Sequence, residues 1–100
     1  MTQIIRKLVT IITELSLEST LIRELEKCGA LGYTVTNARG KGNQGKRAAE
    51  WDANSNIRVE VICTAEVADA INIMLQEKYY ANFAMISFAS DISVLRPKKF

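Results

Sequence analysis

Hydrophobic and polar residues alternate with a period of two in four stretches of the chain, a spacing that is typical of β-strands. These stretches are residues 6–14, 31–38, 56 or 57 to 63, and 83–89, with residues 92–95 as a candidate short edge strand. The first and fourth stretches are apolar at both sets of alternating positions. Because such a strand is stable only when both of its faces are covered, we expect these two strands to contact more than one layer.

Two other segments carry apolar residues at the three- and four-residue spacing of an amphipathic helix. Ser16 is a suitable cap for the first helix, which runs to about Cys28, and Gly29 favours the left-handed conformation that ends a helix. Thr64 is a suitable cap for the second helix, which spans roughly residues 65–79.

The order strand–helix–strand, loop, strand–helix–strand predicts the fold. Two split βαβ units of this size form an α+β, ferredoxin-like sandwich with four antiparallel strands and two helices on one face. The second and third strands form its central hairpin, and residues 1–100 make a single domain. Two helices cover only one face of such a sheet, so the apolar residues on the other face predict a symmetric oligomer.

The connection between the second and third strands, residues 39–55, is unusually long and basic. It contains three of the five glycines and the only tryptophan. Its four basic and two acidic residues give a surplus of two positive charges, and the rest of the chain balances at nine basic and nine acidic residues. Glycine backbone amides and cationic side chains are suited to bind phosphate. An anion-binding loop and a mobile, solvated hairpin connection both remain open at this point.

Composition excludes several classes of function. The chain has no histidine and two cysteines, Cys28 and Cys63, so a zinc site or a Ser-His or Cys-His nucleophile is not expected. No apolar run is long enough for a transmembrane helix and no signal peptide is recognisable, so we expect a cytoplasmic protein with reduced, buried cysteines. The net charge of +2 argues against broad, sequence-independent binding of nucleic acid and leaves only a local basic patch open, so we expect no nucleic-acid partner.

The sequence from Gly29 to Gln44 resembles a known family. Gly32-Tyr33-Thr34-Val35 followed by Gly40-Lys41-Gly42 is similar to the second strand and the start of the T-loop in PII signal-transduction proteins. The similarity extends over residues 7–88, with a third strand that restarts the sheet at Ile57. It is greatest to the PII-like branch that includes carboxysome-associated PII proteins and the regulator of a cyanobacterial bicarbonate transporter.

The resemblance implies a homotrimer that senses adenine nucleotides in the clefts between subunits, without catalysis. The T-loop, residues 39–55, would report the bound ligand to a membrane bicarbonate transporter or a carboxysome-related protein, which could bring the cytoplasmic protein to the membrane. The implied ligands are ADP or AMP, with ATP or cyclic AMP as further candidates and bicarbonate as a possible second anion.

The resemblance also assigns residues to the site. Thr34 and the backbone at Ile62 would meet the adenine, with Glu60 nearby, and Arg96 would reach a phosphate across the subunit boundary. The remaining candidates fall in the T-loop: Gly40, Lys41 and Gly42 along the ribose and phosphates, and Gln44, Lys46 and Arg47 for phosphate or bicarbonate.

Two departures from the family pattern refine this expectation. True PII proteins have a glycine-rich B-loop before the fourth strand, whereas residues 77–82 contain no glycine here, so we expect AMP, ADP or a cyclic nucleotide to be preferred over ATP with magnesium. The T-loop contains no tyrosine, so the uridylylation site of enteric PII proteins is absent.

Two alternatives use the same fold. A small phosphate-ester or nucleotide hydrolase would be expected to carry its phosphate loop after the first strand, but residues 13–16 contain neither glycine nor a cation. An RNA-binding domain would be expected to carry aromatic residues on the sheet face, but the third strand presents Arg58 and Glu60 there. The RNA-binding reading ranks last.

Overall fold

The structure, a computed structural model, describes residues 4–40 and 55–100. These residues form four strands, β1 (Ile4–Glu14), β2 (Thr34–Ala38), β3 (Asn56–Cys63) and β4 (Met85–Val94), and two helices, α1 (Glu18–Lys27) and α2 (Ala65–Lys78). Short 3-10 turns lie at Leu15–Leu17 and Pro97–Lys99. The strands pair antiparallel in the order β2-β3-β1-β4, so the predicted ferredoxin-like α+β fold is confirmed.

β1 is the strand around which the sheet is built. It pairs with β3 on one side and with β4 on the other, which makes it a central strand. Val9 and Ile11 are 0% exposed and lie directly opposite Val61 and Val59 of β3. Because directly opposed residues point to the same face, these four side chains form one apolar layer under the helices.

The helices cover this layer from one side. Their fully buried side chains, each 0% exposed, are Leu21 and Leu25 of α1 and Ile71 and Leu75 of α2. Lys78 donates to Glu24 at 2.6 Å and joins the exposed surfaces of the two helices. The hydrogen bond to Lys78 is the main reason why the pKa of Glu24 is lowered.

The ends of the helices confirm two sequence predictions and contradict one. The Val67 amide donates to the Thr64 hydroxyl at 3.4 Å, so Thr64 caps α2 as predicted. Gly29 has a φ of 105° and ends α1 in the left-handed conformation. The prediction for Ser16 is wrong: it lies in a 3-10 turn, and α1 begins two residues later without a side-chain cap.

Four strand predictions also need correction. β2 begins at Thr34 rather than residue 31, and it is an edge strand, so the β2–β3 hairpin is not central in the sheet. β4 runs without interruption through residues 92–94, because these pair with β1 as its earlier residues do. Phe83 precedes β4 and packs on Tyr79, with ring centroids 5.8 Å apart.

The other face of the sheet carries apolar side chains without a helix to cover them. Ile86 and Phe88 of β4 are 38% and 49% exposed. They lie opposite Ile12 and Thr10, the alternate positions to Val9 and Ile11, so they point away from the helices. We call this surface the open sheet face.

A matched pair of substitutions in α2 tests this description of the core. Ile71→Ala removes a fully buried side chain and should lower the free energy of unfolding by about 2–5 kcal/mol, because a cavity replaces packed atoms. Ile73→Ala, at a position 56% exposed in the same helix, should change it by less than about 0.5 kcal/mol. Denaturant unfolding at fixed protein concentration measures both, and equal losses would contradict the assigned helix face.

Candidate functional site

A groove with a volume of about 370 Å³ lies on the open sheet face, near the start of β2. It takes side chains from all four strands or their flanks and from the end of the chain. Its lining residues are Leu8, Gly32, Tyr33, Thr34, Glu60, Ile62, Ile92 and Phe100.

The strand register explains why these residues meet. Leu8 lies directly opposite Ile62, and Thr34 lies directly opposite Glu60. The first pair is an apolar contact between the two central strands. The second is a polar pair at the edge, where β2 ends the sheet. The groove therefore has an apolar inner part and a polar outer part, a combination that is common in small-molecule sites.

The groove carries one acidic side chain, Glu60, whose neighbours set its charge environment. An Arg58 nitrogen lies 3.5 Å from a Glu60 carboxylate oxygen, and the two side chains are 42% and 33% exposed. This separation is long and both side chains are open to solvent, so Arg58 holds the Glu60 carboxylate only weakly. Glu60 is therefore available to accept a hydrogen bond from a ligand amine.

The segment after β4 closes one side of the groove. The amides of Lys99 and Phe100 donate to the carbonyls of Arg96 and Pro97, at 3.1 and 3.2 Å. This turn brings Phe100 back to the groove, where the Arg6 Nε donates to its carbonyl over 3.5 Å.

The structure brings together some of the predicted site residues. Thr34, Glu60 and Ile62 all line the groove described above. Gly40 is exposed beyond the end of β2, and Arg96 is exposed at the start of the last turn; neither is among the residues that line the groove. The other predicted residues lie outside the part of the chain that the structure describes: Lys41, Gly42, Gln44, Lys46 and Arg47.

Sequence reasoning missed the groove's aromatic residues. Tyr33 is adjacent in sequence to the predicted site residue Thr34, so its place near the site could have been predicted. Phe100 follows a proline and two lysines, and nothing in that local sequence indicates that its ring returns to the sheet. Leu8, which lines the apolar inner part of the groove, was predicted as a strand residue but not as part of a site.

The connection between β1 and α1 does not support the hydrolase alternative. It forms the 3-10 turn Leu15–Leu17, and its first amide, that of Leu15, donates to the Ser55 carbonyl at 2.8 Å. That amide is consequently not available to a phosphate. Among residues 4–40 and 55–100, no group of three acidic, cysteine or histidine side chains could hold a metal ion.

The two cysteines are free thiols in the structure. Cys63 is buried as predicted, whereas Cys28 is only partly buried. Burial raises the pKa of both thiols, which keeps them protonated near neutral pH and makes them poor nucleophiles.

The turn between α2 and β4, where the B-loop of a true PII protein would lie, is filled by aromatic side chains. Tyr79 is buried and contacts Phe83, whose amide donates to the Tyr79 carbonyl at 3.0 Å. The Tyr80 hydroxyl contacts the Ser87 hydroxyl. The amides of Tyr80 and Asn82 also donate to backbone carbonyls, those of Leu75 and Tyr79. The turn thus uses several of its amides internally and presents ring surfaces, rather than a glycine-rich cradle.

Comparison with known proteins identifies the family. The family model described as nitrogen regulatory protein P-II matches residues 6–99, and the chain belongs to the PII family. A solved PII-like signalling protein from Thermus thermophilus is 42% identical, with a TM-score of 0.84, over 100% of this chain and 99% of that one. No helix in residues 4–40 or 55–100 is long and apolar enough to cross a membrane.

More distant members share the fold. CPII, a nitrogen regulatory PII-like protein from Thiomonas intermedia solved with ADP, AMP and bicarbonate, is 23% identical, with a TM-score of 0.84 over 99% of this chain and 96% of that one. GlnK from Bacillus subtilis is 17% identical, with a TM-score of 0.65 over 89% of this chain and 86% of that one.

Proposed function

We propose that this chain is a PII-like regulator that senses adenine nucleotides, ADP or AMP, in clefts between the subunits of a homotrimer, without catalysis. Residues 1–100 act as one PII-like domain, and residues 39–55 form a T-loop that orders when ligand binds. Bicarbonate is a second ligand at the loop. The regulated process is the uptake of inorganic carbon, through a membrane bicarbonate transporter or a carboxysome-related partner, and the protein is cytoplasmic apart from that contact.

The observation that carries this proposal is the groove that gathers Thr34, Glu60 and Ile62. Its volume of about 370 Å³ lies at the lower end of the range for small-ligand sites, which suits a base rather than a macromolecular chain. An adenine amino group is a donor, and the Glu60 carboxylate is a matching acceptor. β2 runs from Thr34 at the groove to Ala38, and the basic segment starts at the next residue, Arg39, so one short strand joins the groove's polar side to that segment.

The solved relatives support the choice of ligands. CPII was solved with ADP, AMP and bicarbonate together, and also with ADP and bicarbonate. The aromatic α2–β4 turn favours mono- and diphosphates in the present chain, because it lacks the glycine-rich amides that would cradle a third phosphate. ATP and cyclic AMP are weaker candidates. The role in bicarbonate uptake is supported by the resemblance of residues 32–35 and 40–42 to the PII-like branch.

Assembly into a trimer is supported by the open sheet face. Phe88 and Ile86 are large apolar side chains left in contact with water by the single chain. Covering them against neighbouring copies buries apolar area and also places a neighbour beside each groove.

An aspartate at this face tests the assembly. Phe88→Asp should convert the trimer to monomers, because it places a charge in an apolar contact, whereas Ile73→Asp on the helical surface should leave it trimeric. Light scattering coupled to size exclusion measures the mass of each variant. A wild-type monomer, or an unchanged mass for Phe88→Asp, would contradict this interface.

Calorimetric titration tests the ligand assignment. The wild-type protein should bind ADP and AMP, and Arg47→Ala or Arg96→Ala should weaken ADP binding roughly tenfold or more, because each removes a charge-assisted bond to phosphate. Arg23→Ala, which removes an exposed arginine of α1, is the control and should leave the affinity unchanged. Absence of any adenylate binding would refute the proposed function, and unchanged affinity in both variants would refute the arginine assignments.

Limited proteolysis tests the loop as the reporting element. Trypsin should cut the ligand-free protein between Arg39 and Arg58, and ADP should slow this cleavage, because a loop that orders around an anion offers fewer cleavable conformations. Cleavage of an added, unrelated protein that binds no nucleotide provides the reference for trypsin activity. Equal rates in the segment 39–58 with and without ADP would contradict ligand-dependent ordering.

A further inference from the structure

Resting on the proposed function, we propose that Phe100 contacts the face of the nucleotide base, and that Arg6 is the residue that positions it. Neither residue carries a recognised sequence signal, and both lie at the ends of the chain. The structure places Phe100 among the residues that line the groove. The Arg6 Nε donates to the Phe100 carbonyl over 3.5 Å, a long contact that bridges 94 positions of sequence.

Backbone hydrogen bonds and a proline fix the turn that positions Phe100. The last turn, Pro97–Lys99, is closed by two backbone hydrogen bonds, and the proline fixes one of its backbone angles. Phe100 is partly buried although it follows two exposed lysines. Holding this aromatic residue against the open sheet face therefore costs conformational entropy.

The groove offers a planar ligand complementary surfaces. Phe100 and Tyr33 supply aromatic faces, and Leu8 with Ile62 supplies apolar contact from the sheet. Glu60 and Thr34 supply polar atoms at the outer part. A purine base has two π faces and a polar edge, so stacking on a ring while its amino group meets Glu60 uses both kinds of surface.

The alternative role for Phe100 predicts an effect of opposite sign. If the ring merely fills the groove in the absence of ligand, it competes with the base, and removing it should tighten binding. If it stacks on the base, removing it should weaken binding. The sign of the change in affinity therefore decides between the two roles.

The experiment compares Phe100→Ala with the wild-type protein for adenosine, AMP and ADP by calorimetry. Affinity should fall roughly ten- to a hundredfold, by the same factor for all three ligands, because the lost contact is to the base that they share. Phe100→Leu, which keeps apolar volume without a π face, should remain weakened, and Phe100→Trp should restore binding. Tighter or unchanged binding in Phe100→Ala overturns the proposal.

A double-mutant cycle tests the positioning role of Arg6. Arg6→Gln should weaken binding when Phe100 is present and have no effect in the Phe100→Ala background, because its action passes through the ring. A loss that persists in that background and grows from adenosine to ADP would show a direct charge effect of Arg6 on phosphate and would overturn the assignment. If the wild-type protein binds no adenylate, the proposed function itself fails; if it binds and these variants do not respond, only the present inference fails.

Discussion

Two helices can cover only one face of a four-stranded sheet, and the rest of this structure depends on that constraint. The core lies between the helices and one face, where Val9, Ile11, Val59 and Val61 are completely shielded from water. Side chains alternate along a strand, so the register that buries Val9 and Val61 also fixes Leu8 and Ile62 on the open face. The candidate site is consequently as precisely positioned as the core, although it is exposed. A one-residue slip of β1 against β3 would remove both together.

The edge position of β2 gives the site its polar side. β2 has only five residues and pairs with β3 alone, so its open-face residues meet solvent. Thr34 opposite Glu60 supplies a hydroxyl and a carboxylate at the place where the sheet ends. The basic segment 39–55 begins at the other end of β2, roughly 16 Å along the strand from Thr34, so a ligand held at this edge has to extend along β2 for its phosphates to reach the segment. Under the proposed function, recognition of the base therefore falls to rigid strands and recognition of anions to the loop.

Local physical chemistry explains which elements the sequence could predict. β3 was predicted to within one residue of its bounds because Ile57, Val59 and Val61 recur at every second position, with the charged Arg58 and Glu60 between them. Thr64 was predicted correctly because its capping bond is made three residues away. The prediction that Ser16 caps α1 is wrong because Leu15–Leu17 forms a 3-10 turn. The first amide of this turn donates to the carbonyl of Ser55, the residue before β3, which is distant in sequence. The predicted residues Thr34, Glu60 and Ile62 lie in one groove, but no local pattern predicts that Phe100 lines it too, because its contact with Arg6 is made 94 residues away. Residues 41–54 lie outside what the structure describes, so the loop's share of the site stays a prediction.

The division between rigid strands and loop constrains how a nucleotide could act as a signal. A ligand shifts an equilibrium only through a difference in its affinity for the two states. Under the proposed function, contacts of the base with Glu60, Ile62 and Phe100 would be made on the sheet and the last turn, so they would be the same whether the loop is ordered or not. They would supply affinity and select the base, but they would not bias the loop. The bias would have to come from atoms that meet the basic segment, namely the phosphates or a second anion such as bicarbonate. The proposed regulator would thus distinguish AMP from ADP by the charge of the phosphates that each presents to the loop. The groove would recognise the adenine base, which the two nucleotides share.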